Sequence, residues 1–457
     1  MLHVIDPERT KVIHRDLDRP YPLLERGEGV YLYDTAGKRY LDGSGAAAVV
    51  TAIGHGVTEV VDAIAEQARK LAFVPTHVFS TEAIEECARI IVQEFAPPGL
   101  ERVWFISGGS EATENAVKMA LQYHRDRGKE TKHLVIGRWG SFHGNTLGAL
   151  AYGGNTGRRR KYAPVLSGAV EHIPPCYPYR CWLRKECPPC DLSCAHQLER
   201  VIRQVGPENV AAFIAEPVVG ATLGAVPAAP GYFEEIRAIC DRYDVLFIAD
   251  EVMTGFGRTG RNFGIDHWGV VPDLIACAKG IAAGYAPLGA VIARPEIVGE
   301  VRQRSGSFVI GHTASGNPIS CAAGVAVLRY IIEHDLTRHA AEVGAYFLDQ
   351  LRTLKDRHEI IGDVRGLGLL AGVELVRDRA TKEPFPAEWQ VSKRIAEATL
   401  ARGLVSYPLQ GAVDGLEGDH LLYGPPLIIT REQIDELVAI LDESLTAVTA
   451  ELGALAG

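Results

Sequence analysis

Lys279 closes the apolar run DLIACAKG, residues 273–280. A lysine with almost no polar neighbours in sequence faces a pocket rather than water. Desolvation disfavours its ammonium form and lowers its pKa. An unprotonated lysine can condense with an aldehyde to form an imine. A second apolar run, Val245–Ala249, ends in Asp250 and Glu251. A buried strand that ends in a carboxylate delivers charge to the carboxyl edge of a sheet, where ligands of open α/β folds gather. The plain alternative is that Asp250 only caps a turn. If the two runs are neighbouring strands, an amine and a carboxylate meet at one edge.

Three glycine-bearing segments accompany this pair. The segment VWFISGGSEATENAV, from Val103, reads as strand, Gly108–Gly109, Ser110 and then helix. That order suits an anion, because helix N-terminal amides and the helix dipole attract negative charge; a helix cap without a ligand is the alternative. WGSFHGNT, residues 139–146, follows the strand pattern Leu134–Gly137. An aromatic residue there can stack on a planar ligand, or be a core aromatic beside a turn. GFGRTG, residues 255–260, is a literal GxGxxG. It runs into RNFGID, a poor helix start, so a loop beside a pocket fits better than a dinucleotide fingerprint.

These residues need a scaffold. Short apolar runs at Val103–Ile106, Leu134–Gly137, Val210–Ala215, Val245–Ala249, Leu274–Ala276 and Ala290–Ala293 alternate with helical patterns at Thr58–Leu71, Glu82–Phe95, Glu111–Arg127, Ala195–Val205 and Gly231–Tyr243. Continuously apolar strands separated by helices predict a parallel sheet covered on both faces. Residues 60–320 read as one large α/β domain. Residues 20–45 predict a hairpin around Asp34–Gly37. The C-terminal third predicts long helices, Asn317–His334, His339–Arg357, Ala387–Arg402 and Arg431–Leu452, with one strand at Gly366–Leu375. Residues 1–59 and 321–457 are therefore expected to form one smaller α+β domain from both termini.

The chain has 457 residues, long enough for a real core without disulfide or metal staples. With a net charge of −10 the chain is a poor candidate for nucleic-acid binding, because phosphate contacts need a basic face. No apolar stretch near the N-terminus approaches the ~20 residues of a membrane span, and no secretory pattern is present. The expectation is a cytoplasmic protein with neither nucleic-acid nor membrane partners. Its nine cysteines are expected to stay reduced there.

SGGSEATENAVK, SFHGNT, AEPVVG, IADEVMTGFGRTG, CAKGIAAGYAPLGAVI and GHTASGNPISCAAGVAVL resemble, in order, the successive signatures of class-III pyridoxal-phosphate aminotransferases. The resemblance spans essentially the whole chain. It implies the fold-type-I architecture and a homodimer with shared sites; pairing of dimers into a tetramer stays open. It also implies pyridoxal 5'-phosphate as cofactor. Lys279 matches the lysine that binds the cofactor and moves the substrate proton. Asp250 matches the carboxylate paired with the pyridinium nitrogen. Gly109 and Ser110 match the phosphate cradle, Phe142 and Val252 the residues on the two ring faces, and His143 belongs to the Phe142 motif. Thr313 matches a residue that reaches the phosphate from the partner subunit. Glu216 matches an active-site glutamate near the substrate. The implied reaction is ping-pong transfer of an amino group from a small-molecule amine donor to an oxo-acid acceptor.

The chain departs from that pattern in three places. Many class-III members hold a substrate carboxylate with an arginine shortly before a PPL segment, where the guanidinium fork binds in a bidentate way. GLEGDHLLYGPPL, residues 415–427, has none. Acetylornithine- and 4-aminobutyrate-type donors are thus disfavoured, and an uncharged or bulky amine or an ω-amino acid, with pyruvate as acceptor, is expected. Val49 aligns where many amine transaminases place tryptophan, which widens the pocket. Arg258 and Arg402 are candidates for holding the acceptor's carboxylate. Finally, Cys176, Cys181, Cys187, Cys190 and Cys194 crowd into 19 residues with one CxxC. A zinc ribbon needs a second CxxC, so no metal is expected. A decarboxylase, racemase or aminomutase would share Lys279 and Asp250, and a non-enzymatic metal-binding module is the remote alternative.

Overall fold

The computed structural model describes residues 4–183, 187 and 189–456. Its centre is a seven-stranded sheet with strands β1 (Arg102–Ile106), β2 (Leu134–Arg138), β3 (Val170–Ile173), β4 (Val210–Ala215), β5 (Leu246–Asp250), β6 (Leu274–Cys277) and β7 (Gly289–Ala293). Their spatial order is β1-β7-β6-β5-β4-β2-β3. All neighbouring pairs are parallel except the two made by β7, which runs against β6 and β1. The middle strands β4, β5, β6 and β7 are buried at every position, which is why they read as unbroken apolar runs. Alternate residues serve opposite faces. Ile248 and Leu274 pack with Ala112, Ala116 and Met119 of helix α1 (Gly109–Asp126). Phe247 and Ile275 pack on the other face with Phe233, Ile236 and Ile239 of helix α2 (Tyr232–Arg242). The sequence reading omitted β3. It is an edge strand whose Val-Glu-His-Ile pattern lacks the apolar run of its neighbours.

Two four-stranded sheets lie outside this core. In one, Tyr31–Asp34 and Arg39–Asp42 form the expected hairpin, and Leu404–Val405 joins it in parallel at Leu41–Asp42. Chain from both ends thus builds one sheet. In the other, the single strand expected at Gly366–Leu375 is instead a hairpin, Ile361–Leu367 against Leu370–Leu375. The turn is made by Gly368 at φ +55, with Gly366 at φ +147. These values belong to glycine, but the apolar residues around them hid the turn. The expected C-terminal helices are present as Pro318–Glu333, Leu336–Arg357, Val391–Ala401 and Arg431–Ala456. Among the described residues no helix is long and apolar enough to cross a membrane.

Candidate active site

Five segments that leave the carboxyl ends of parallel strands converge on one cavity of about 180 Å³. Beyond β5 stand Asp250 and Val252; beyond β6 stands Lys279; beyond β4 stands Glu216. The β2 loop brings Phe142 and His143, and β1 leads into Gly109 and Ser110 at the start of α1. Asp250 pairs with Ala276 across β5 and β6, so Lys279 lies three residues further along the adjacent strand's path. The amine and the carboxylate therefore share one edge, as their spacing predicted.

Asp250 is fixed from two sides. Its Oδ1 accepts the Val252 amide at 3.0 Å, and its Oδ2 lies 2.7 Å from His143 Nδ1. His143 is 2 % exposed, and its Nε2 has no partner among the described residues. The imidazole thus positions the carboxylate and leaves one buried ring nitrogen unsatisfied at the cavity. Lys279 adopts φ +47, an unusual conformation for a side-chain-bearing residue. Burial pushes its ammonium down to about 8, offset in part by Asp250. Glu216 is pushed up to about 7, chiefly by burial. Its two oxygens accept the amides of Phe142 (3.2 Å) and Gly220 (3.3 Å). The buried guanidinium of Arg138, which sequence reasoning missed, donates to the Glu216 carbonyl at 2.5 Å. Glu251, the neighbour of Asp250, faces away and accepts the amides of Gly264 and Ile265. It ties down the turn that follows the glycine-rich loop, and burial raises its pKa to about 7.

The start of α1 borders the cavity at Gly109 and Ser110. No side chain caps it, and its first helical bond is Ala112 N to Gly108 O at 3.0 Å. The amides of Gly109, Ser110 and Glu111 are thus left free of intrahelical partners. Glycine is required at 109, because a Cβ there would stand 2.7 Å from Val252 Cγ1. Ser110 Oγ accepts the Asn145 amide at 3.0 Å, locking the aromatic loop to the helix. A cofactor with a phosphate, a planar ring and a ring nitrogen fits these features: an uncapped helix start, Phe142 and Val252 in the walls, and a fixed carboxylate.

The family model for class-III aminotransferases matches residues 13–445. This chain belongs to the class-III aminotransferases. An uncharacterized aminotransferase of Bacillus subtilis is 38% identical over 96% of this chain and 98% of its own length. The diaminobutyrate–2-oxoglutarate transaminase of Halomonas elongata is 35% identical, over 98% and 96%. An ω-transaminase of Pseudomonas jessenii, solved in complex with PMP, superposes with a TM-score of 0.90 at 31% identity, covering 98% of each chain. The chain is thus an aminotransferase of fold type I, in a family that depends on pyridoxal phosphate and acts on amines and oxo acids. A metal-binding module is not its function.

Not every expected residue reaches the cavity. Val49 is buried one layer behind it, against Val218, Leu370 and Leu422. Thr313 is exposed on the loop after Gly311. Arg258 donates to the carbonyls of Leu369 and Pro425, tying its loop to the C-terminal segments. Arg402 sits at a helix end, 3.5 Å from Glu443. Neither arginine lines the cavity. Trp139 stacks on His172 at 4.5 Å, so of the two aromatics in its loop only Phe142 faces the cavity. All nine cysteines are free thiols. The CxxC segment falls partly outside the described residues. Among those described, no group of three or more His, Cys, Asp or Glu could hold a metal ion.

Proposed function

We propose that this aminotransferase moves an amino group from an amine or ω-amino acid to a 2-oxo acid, with pyruvate as acceptor, by a ping-pong sequence. The observation that carries this reading is the placement of Lys279, the Asp250–His143 pair and an uncapped helix start around one cavity. Pyridoxal 5'-phosphate supplies the reactive aldehyde and the electron sink. The protein's share is to hold and to move protons. Gly109 and Ser110 amides hold the phosphate, and Thr313 of a second subunit completes that cradle. Phe142 and Val252 flank the ring. Asp250, oriented by His143, keeps a proton on the ring nitrogen. Lys279 anchors the cofactor and carries the proton to and from the reacting substrate carbon. A lysine with its pKa near 8 serves as both acid and base close to neutral pH. Glu216 faces the substrate, and Val49 shapes the pocket from behind.

We also propose residues 60–320 as the cofactor-binding domain, with 1–59 and 321–457 as a second domain. The pairing of Leu404–Val405 with Leu41–Asp42 supports that division. A homodimer with shared sites is part of the same proposal. The test is a half-reaction screen: the cofactor-loaded enzyme is mixed with a panel of amines and amino acids, and conversion to pyridoxamine phosphate is followed by absorbance. Conversion by amines or ω-amino acids, reversed by pyruvate, is expected. Product formation with no need for an oxo acid would point to a racemase or mutase, and release of carbon dioxide to a decarboxylase.

A further inference from the structure

A second cleft, of about 510 Å³, opens beside the first, and Phe142 and Ala221 line both. Its charged lining is one-sided: Arg15, Arg19, Arg158 and Lys393 against the single carboxylate of Asp16. Asp16 is already engaged, 3.8 Å from Lys393 Nζ. Arg158 touches Phe142, a wall of the first cavity. Its guanidinium carbon stands 4.6 Å from the Phe142 ring centroid. Among the described residues its only polar side-chain contact is a long one, 3.5 Å from Nη1 to Asn145 Oδ1. It forms no ion pair among the described residues. Burial and the nearby charge of Arg15 both disfavour its cationic form.

A half-buried arginine beside a second arginine, without a carboxylate between them, is an electrostatic cost that a bound anion relieves. The guanidinium fork is the group best shaped for a carboxylate. The position also matters. Arg158 lines the second cleft and not the cavity that holds Lys279, and Phe142 borders both, so a group it holds lies away from the reacting carbon. Arg158 can hold one at the far end of a chain. The usual arginine before the PPL segment is absent, and neither Arg258 nor Arg402 lines the cavity.

We infer that Arg158, assisted by Arg15, binds the remote carboxylate of an ω-amino acid donor. This rests on the transamination reading above. It selects ω-amino acids over plain amines as the donor class.

The test compares two donors of equal chain length, ε-aminocaproate and hexylamine, in the half-reaction of the cofactor-loaded enzyme. The wild type should prefer the amino acid. Arg158→Met should lower that preference ratio at least tenfold, Arg158→Lys should restore part of it, and Arg15→Met should lower it by a smaller factor. Binding of glutarate to the holoenzyme, measured by isothermal titration, should weaken in parallel; glutarate has neither an amine nor a keto group to react. An unchanged ratio in Arg158→Met, with both donors slowed alike, would show that Arg158 only props Phe142 and would overturn the inference. Equal use of both donors by the wild type would overturn it as well, while leaving transamination intact. Failure of every amine to convert the cofactor would overturn both readings.

Discussion

At the scale of single residues, the proposed chemistry depends on how burial moves two proton affinities in opposite directions. The pocket pushes Lys279 down to about 8 and Glu216 up to about 7, in both cases by penalising the charged form. The sign for Lys279 gives a direct expectation. Attack on an aldehyde needs the free amine, whose fraction rises about tenfold per pH unit below its pKa and levels off above it. The rate at which cofactor-free enzyme takes up pyridoxal phosphate should therefore climb from pH 6 to about 8 and then flatten. A climb continuing to about 10.5, the ordinary lysine value, would contradict the burial argument. Stopped-flow absorbance reads this rate. Asp250→Asn should keep the fold but lower kcat by about 100-fold, the scale seen when a preorganised partner of a charged centre is lost. His143→Ala should cost less, because Asp250 keeps the Val252 amide. Equal loss in both variants would give His143 more than a positioning role.

At the scale of elements, the site exists because loops at the carboxyl ends of β1, β2, β4, β5 and β6 open into the same crevice. Gly372 shows how closely a neighbouring element must approach. It lies in the strand Leu370–Leu375, and a Cβ there would collide with the Gly224 carbonyl in the loop that follows Glu216. That loop is also gripped by Arg365, whose Nε donates to the Gly224 carbonyl at 2.8 Å. Gly372→Ala should therefore destabilise the protein by about 1–3 kcal/mol, the usual cost of overpacking. It should also raise KM by shifting Ala221, which lines both clefts. Denaturant unfolding and steady-state kinetics check the two effects.

The same scale explains what the sequence made legible. The buried strands were readable because both faces are covered, and the strand-end residues Asp250 and Lys279 were readable because an apolar run ends abruptly at each. The hairpin at Gly368 was not, since its turn sits inside an apolar run and depends on two glycine conformations. Arg158 was not, because nothing in NTGRRRKY distinguishes an arginine over Phe142 from its two neighbours. Only the tertiary fold separates them.

At the scale of the whole molecule, one surface bears on the proposed homodimer. Phe73, Val78 and Phe79 are 45%, 60% and 61% exposed, and Val309 is 85% exposed. Two contacts join their segments: Asn317 Nδ2 donates to Ala72 O at 3.4 Å, and Gly316 packs against Thr76. The exposed Thr313 lies between Val309 and Asn317. An apolar patch of this kind, next to a residue proposed to serve a neighbouring site, supports the proposed homodimer. Light scattering should give at least twice the monomer mass. Mixing Lys279→Ala with Thr313→Ala chains under exchange conditions should change activity in a telling way. A subunit with intact Lys279 that receives Thr313 from the Lys279→Ala partner should recover full affinity for the cofactor. A monomer with full activity would refute the shared site.

The most direct measurement is chemical trapping at the anchor. The cofactor-loaded enzyme is reduced with borohydride, digested, and mapped by mass spectrometry. The account predicts a phosphopyridoxyl group on Lys279 alone, lost when a productive amine donor is added before reduction and regained after pyruvate. A label on any other lysine, or normal turnover by Lys279→Ala, would contradict it.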